Sequence, residues 1–239
     1  MELLQGVIAW FRDPEHWEGP NGVPARLVEH VGLSSLALLI ACLLAIPLGL
    51  WLGHTGRGGT VAINLTNIGR AVPTFAVLSL LALGPLGLST ASTVVALVLF
   101  AVPPLLTSTY VGMREVDRDA VEAAIGMGMG GGQVLRGVEL PLAAPLLMSG
   151  VRLAGVQVVA TATIAALVGG GGLGRIITSG FARQDQAQVV AGALLVAALA
   201  LVTELLLTAA QRRTDPLRSA RAARVRTPGV PDPALDGVH

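Results

Sequence analysis

The chain has a single cysteine, no lysine and few aromatic residues, and only 13% of its 239 residues are charged. One cysteine, Cys42, inside an apolar run supplies neither a disulfide framework nor a thiolate metal cluster. The 16 basic residues are all arginine and are balanced by 15 acids, a formal charge of +1. That balance lacks the net positive charge that a nucleic-acid binder carries, so no nucleic-acid partner is expected. Trp10, Trp17, Trp51 and Tyr110 are too scattered to build an aromatic cage for a quaternary ammonium. The phosphate-binding pattern GxxxxGK followed by Ser or Thr is also missing: GGGGLGR at Gly169 to Arg175 has glycines but neither the lysine nor the hydroxyl. The chain should bind no cofactor of its own, and any ATP hydrolysis must occur on another chain. No carboxylate pair, histidine cluster or nucleophile beside a base defines a catalytic site, so an enzyme is not expected.

What the sequence has in quantity is apolar length. It is 53% hydrophobic with a mean hydropathy of +0.70, too apolar for an ordinary soluble domain. Val31 to Gly53 run for 23 positions without a charge, enough to cross ~30 Å of hydrocarbon as a helix. Between Arg70 and Arg114 lie 43 uncharged residues, too many for one helix, and GPLG at Gly84 to Gly87 divides them into spans near 62–83 and 89–111. Further spans are expected from Leu140 to Val168, interrupted by Arg152, and from Gln188 to Ala210, with Glu204 near its end. Pro47, Pro103, Pro104 and Pro145 fall in or beside these spans and predict kinks more than breaks. The expected fold is therefore all-α and polytopic, with about five transmembrane helices.

Five spans place the two termini on opposite sides. With the tail inside, ten arginines lie inside against Arg12, Arg26, Arg175 and Arg183 outside, with Arg70 and Arg152 near the membrane, a bias that supports an outside amino terminus. The expected divisions are an extracytoplasmic segment 1–26, a transmembrane region 27–210, and a cytoplasmic arginine-rich tail 211–239 of poorly ordered composition. The polar stretch from Arg12 to Arg26 argues against a cleavable signal peptide.

The segment from Arg114 to Pro145 is far longer than the ~2–8 residues that join adjacent helices. Its first half is helical by content, with Ala120, Ala123, Ala124 and Met127 spaced along one face. The second half, GMGMGGGQVLRG, weakens helix by up to ~1 kcal/mol per interior glycine. Such a loop is expected to gain its shape by docking into a preformed groove, burying its alanines and methionines with Val134 and Leu135.

Within it, Glu122, Ala123, Ala124, then Gly128, Val138, Leu140 and Pro141 resemble the EAA signature of binding-protein-dependent ABC importer permeases. The departure is Val138, where isoleucine is usual. NIGRAVPTFAVLSLL from Asn67, GMGMGGGQVLRGVELPLAAPLLMSGVR from Gly126 and TATIAALVGGGGLG from Thr161 look like the osmoprotectant branch, whose members import glycine betaine, carnitine or choline. The resemblance covers roughly 27–210. It implies a type I importer-like core in a bacterial cytoplasmic membrane and an ATPase-coupling loop at 114–139. It also implies cytoplasmic ABC ATPase subunits carrying ATP and magnesium, a second permease, either an identical copy or a different chain, and an extracytoplasmic solute-binding protein.

The pathway is marked more weakly. Thr161 and Thr163 offer hydroxyls within the fourth span, though such groups also bond to their own helix. Gly169, Gly170, Gly171 and Gly172 cannot be irregular backbone in lipid, so a gate or re-entrant turn near the outer surface is expected. Arg152 and Glu204 are the intramembrane ionisable candidates. Alternatives to osmoprotectant import are a permease for amino acids or another small solute and, from a different class, a secondary transporter, which would leave the EAA loop without a purpose.

Overall fold

The computed structural model describes residues 1–70 and 72–214; of residues 65, 66, 69, 70 and 214 the backbone alone is described. The Arg70 side chain and most of the arginine-rich tail, 215–239, therefore lie outside the described residues. Ten α-helices follow one another among those residues: α1 (Glu2–Arg12), α2 (Val23–Thr55), α3 (Gly59–Arg70), α4 (Thr74–Leu83), α5 (Thr90–Arg114), α6 (Arg118–Gly126), α7 (Gly131–Val134), α8 (Leu140–Ala165), α9 (Gly174–Arg183) and α10 (Gln186–Thr214). A π turn, Leu135–Glu139, leads into α8, and a 3-10 turn, Ala166–Val168, leaves it.

Four helical stretches are long and apolar enough to cross a membrane: Val23–Thr55, Thr90–Arg114, Gly131–Val168 and Gln186–Arg213. They contain the expected first, third, fourth and fifth spans. The expected prolines, Pro47 in α2, Pro103 and Pro104 in α5, and Pro145 in α8, lie within continuous helices. The second expected span, 62–83, differs: it comes in two pieces, α3 and α4. At 1.5 Å per residue α4 is only about 15 Å long. Pro73 stands immediately before α4, where it has no N–H to extend a preceding helix and restricts the residue before it. The pieces nonetheless run in series along α5. Gly59 approaches the Tyr110 ring near the end of α5, while Leu78 packs on Ala96 near its start and on Ala165. The chain thus makes five passes, the second broken.

The core is three helices, α2, α5 and α8. The buried stripe of α2 places a small residue at every fourth position, Ala37, Ala41, Ala45, Gly49 and Gly53. Without large side chains the backbones approach closely: a Cβ on Gly49 would lie 2.7 Å from that of Thr109. Leu97, Ala101, Leu105 and Leu106 of α5 and Ala154, Val158 and Ala162 of α8 complete the cluster. Helix α10 flanks α8, with Leu207 against Gly155. Helix α1 lies across α10 and α9: Gly6 abuts Ala187, and Trp10 is buried with Leu173, Ile176 and Ala191.

Candidate functional site

The segment 114–139 lies at one end of the bundle, called here the loop end. Asp117 caps α6, accepting the Asp119 N–H at 3.0 Å, and α6 ends at a left-handed residue, Gly128, with φ +87°. Gly128 N–H donates to Ile125 O at 2.9 Å and Met129 N–H to Ala124 O at 3.1 Å, the pair of bonds that closes a Schellman turn. A Cβ at Gly128 would meet nothing within 4 Å, so its requirement is conformational and not steric. Gly128→Val should cost about 1–2 kcal/mol of local order; amide exchange across α6 should quicken roughly tenfold, and unchanged exchange would show that the positive φ is dispensable.

Neighbours of the EAA signature divide between two faces. Ala124 is buried with Met113, Val116, Val121, Val134 and Ala143, whereas Glu122, Ala123, Ile125 and Met127 are exposed. This corrects two expectations. Ala123 and Ala124 do not share one docking face, because successive helical residues are turned by ~100°. Val134 is not held in reserve for a partner either: it already seats α7 on the core of this chain, and Leu135 packs beside it. The loop holds its shape through its own buried cluster, and its exposed rim is Glu122, Ala123, Ile125 and Met127. Val138 is half-buried against the same cluster, and Leu140 and Pro141 open α8, where proline's missing N–H costs nothing.

Spacing gave no sign of a second tie. The Glu139 carboxylate, buried in the π turn, is hydrogen-bonded to His54 Nδ1 near the end of α2. The two residues are 85 positions apart, so no periodicity relates them. The pair fastens the first pass to the start of α8 beside the loop.

At the opposite, far end, the four glycines form a tight turn strapped to α2. Gly172 N–H donates to Glu29 Oε2 at 2.8 Å and Leu173 N–H to His30 Nδ1 at 3.2 Å. His30 Nε2 lies 3.1 Å from Val159 O. Since Nδ1 accepts, Nε2 must carry the proton, which fixes a neutral ring. A Cβ on Gly171 would overlap the Glu29 carboxylate, and one on Gly170 would lie 2.6 Å from Ala165 O. Gly169 turns at φ +89°. The run is thus a tight turn between α8 and α9 in which Gly170 and Gly172 are buried, Gly171 is half-buried and Gly169 is exposed. Glu29 and His30 are site residues that sequence reasoning missed.

Thr161 is buried in α8, while the Thr163 hydroxyl donates to Val159 O of its own helix at 3.4 Å, the backbone-bonding alternative. Arg152 and Glu204 come together: Arg152 Nε lies 3.5 Å from Glu204 Oε1, and Thr208 bridges them, with its hydroxyl 3.3 Å from Arg152 Nη1 and 3.2 Å from Glu204 Oε1. About 18 Å of helix axis separates Arg152 from Leu140, so the charges answer one another well inside α8.

The family model for the inner membrane component of binding-protein-dependent transport systems matches residues 45–216. A choline transport system permease of Bacillus subtilis is 36% identical over 191 residues, 80% of this chain and 88% of that protein. A carnitine transport permease of Listeria monocytogenes is 37% identical over 224 residues, 92% of this chain and 97% of that protein. Among solved structures, an inward-facing methionine ABC transporter gives a TM-score of 0.71 at 19% identity, covering 80% of this chain and 95% of that one. That likeness establishes the fold, an all-α permease core of the type I importer kind. With its broken five-pass bundle and its folded EAA loop, this multi-pass membrane protein is a permease subunit of an ATP-driven importer, and it belongs to the family of binding-protein-dependent transport system inner membrane components.

Proposed function

We propose that this permease carries quaternary-amine osmoprotectants such as glycine betaine, choline or carnitine into the cell across the bacterial cytoplasmic membrane. The observation that carries the reading is the identity with the choline and carnitine permeases, sustained over 80% and 92% of the chain. In this reading the loop end is cytoplasmic and the far end extracytoplasmic, as the arginine bias requires.

The exposed rim of α6, Glu122, Ala123 and Met127, rests on a separate ATPase subunit that holds ATP and magnesium. Ala124, Gly128 and Val138 keep that rim in shape, and Leu140 and Pro141 pass its displacement into α8. Interface energy concentrates in a few seated groups, and the small Ala123 leaves room for close approach. A second permease copy completes the membrane pore. An extracytoplasmic binding protein supplies the solute. The turn Gly169–Gly172, strapped by Glu29 and His30, acts as a gate at the outer end, with Thr161 on the helix that leads to it.

The test is reconstitution in vesicles with the cognate ATPase and binding protein. Uptake of labelled glycine betaine, choline or carnitine that requires ATP is the expected result. Uptake confined to amino acids would overturn the substrate class, and uptake driven by an ion gradient without the ATPase would overturn the mechanism.

A further inference from the structure

The ion pair of Arg152 and Glu204 stands at the midpoint of α8, with Leu140 and Ala165 at the two ends of that helix and about 18–20 Å of axis on either side. The two side chains are 34% and 40% exposed. Charges open to hydrocarbon at that depth are costly, so their open side faces protein or water and not lipid. The face of α10 fit for lipid is elsewhere: Val202 and Leu206, 51% and 65% exposed, lie about 200° round the helix from Glu204. The pair satisfies itself only in part. Arg152 turns Nε toward Glu204 and Nη1 toward the Thr208 hydroxyl, two of the five N–H groups of a guanidinium. Glu204 uses Oε1 for both Arg152 and Thr208. The other guanidinium N–H groups and Glu204 Oε2 have no hydrogen-bond partner among the described residues. Spare cationic donors beside a spare anionic oxygen complement a solute that carries both a carboxylate and a cation.

We infer that Arg152 and Glu204 form a solute subsite at mid-membrane for a zwitterion, with the solute carboxylate on the guanidinium and its quaternary ammonium against Glu204. The inference rests on the osmoprotectant reading and names where the permease itself meets its cargo. A zwitterion that leaves water at this depth loses the hydration of both its charges, so both need an opposite charge to replace it. The guanidinium fork matches a carboxylate. A quaternary ammonium has no N–H to donate, so Glu204 meets it as a counter-charge. The empty subsite stays neutral because each side chain answers the other. Thr208 is a positioning residue: its hydroxyl, 3.3 Å from Arg152 Nη1 and 3.2 Å from Glu204 Oε1, holds the two charges side by side. Choline, a cation without a carboxylate, draws on Glu204 alone.

The test uses the full importer in vesicles, with saturating solute-loaded binding protein, and compares uptake of glycine betaine and choline per assembled complex. Arg152→Gln leaves the subsite net negative. Glycine betaine uptake should fall about tenfold, the scale of one lost charge-assisted hydrogen bond, while choline holds within about twofold. Glu204→Gln leaves the subsite net positive and should lower choline more than glycine betaine, so the ratio of the two solutes moves in opposite directions in the two variants. Arg152→Gln combined with Glu204→Gln strands no charge, yet uptake of both solutes should stay down about tenfold. A ratio unchanged in both single variants, or a double variant that regains wild-type uptake, makes the pair a structural tie between α8 and α10 and overturns the subsite alone. Where the wild type carries glycine betaine and no choline, the double variant decides by itself. A wild type that carries choline and no glycine betaine overturns the subsite and leaves the importer reading standing. A wild type that carries neither overturns the osmoprotectant reading and the subsite with it.

Discussion

Valine at position 172 is expected to abolish transport and to strip the permease from the membrane fraction. Gly172 sits at φ +78°, and a Cβ there would lie 2.8 Å from the Cβ of His30 and 2.9 Å from its Cα. A β-branched residue in the left-handed region costs about 1–2 kcal/mol by itself. The clash is with main-chain neighbours in a close-packed interior, so relief requires moving α2 or the turn, which typically adds about 1–3 kcal/mol. Either movement breaks the bonds from Gly172 N–H to Glu29 and from Leu173 N–H to His30. A control separates the two costs: Gly87 has φ +61° with open space around its Cβ position, so Gly87→Val carries the backbone cost alone. The Gly87 variant should accumulate and transport at a reduced level, while the Gly172 variant should fall more than about tenfold in solubilised, monodisperse yield. Equal yields from the two would remove the close approach to His30 from the account.

The second large effect is expected from His54→Ala, and it should be reversed by a further change at its partner. Glu139 is 2% exposed, and among the described residues its hydrogen-bond partner is His54. Deleting His54 takes the hydrogen-bond partner away from a buried carboxylate, at a cost of about 1–3 kcal/mol. Adding Glu139→Gln to the His54 variant removes the stranded charge, and an amide is far cheaper to leave in that position. The single variant should therefore lower the thermal midpoint of the purified complex by several degrees, with stimulated ATP hydrolysis falling alongside uptake. The double variant should recover most of both. Equal losses in the single and double variants would show that the Glu139 charge is not what His54 answers.

Legibility in the sequence followed distance along the chain. The EAA residues lie within one segment, so their pattern could be read directly. Four of the five passes could be read too, because each is a continuous apolar run with apolar length to spare on both sides of any proline. The second pass failed as a single helix because Pro73 divides a run whose first half, with Asn64, Asn67 and Thr66, is weakly apolar. Hydropathy averages over that break and does not register it. The two faces of α6 were merged because spacing shows which residues are neighbours and not which side is already covered by the same chain. Glu29 and His30 meet partners 143 positions away, and His54 one 85 away. No window of sequence contains either end of those contacts together. Arg152 and Glu204 were legible as unusual charges, but their mutual pairing required the third dimension.

The buried cluster beneath α6 also bears on how the transporter is put together. Since Val121, Ala124 and Val134 are covered by this polypeptide alone, under the proposed coupling role the loop is already folded before its motor arrives, with Ile125 and Met127 left exposed on its rim. Capture of the motor then resembles the meeting of two finished surfaces. It should carry the small heat-capacity change of rigid association, in contrast to the large negative one that accompanies coupled folding.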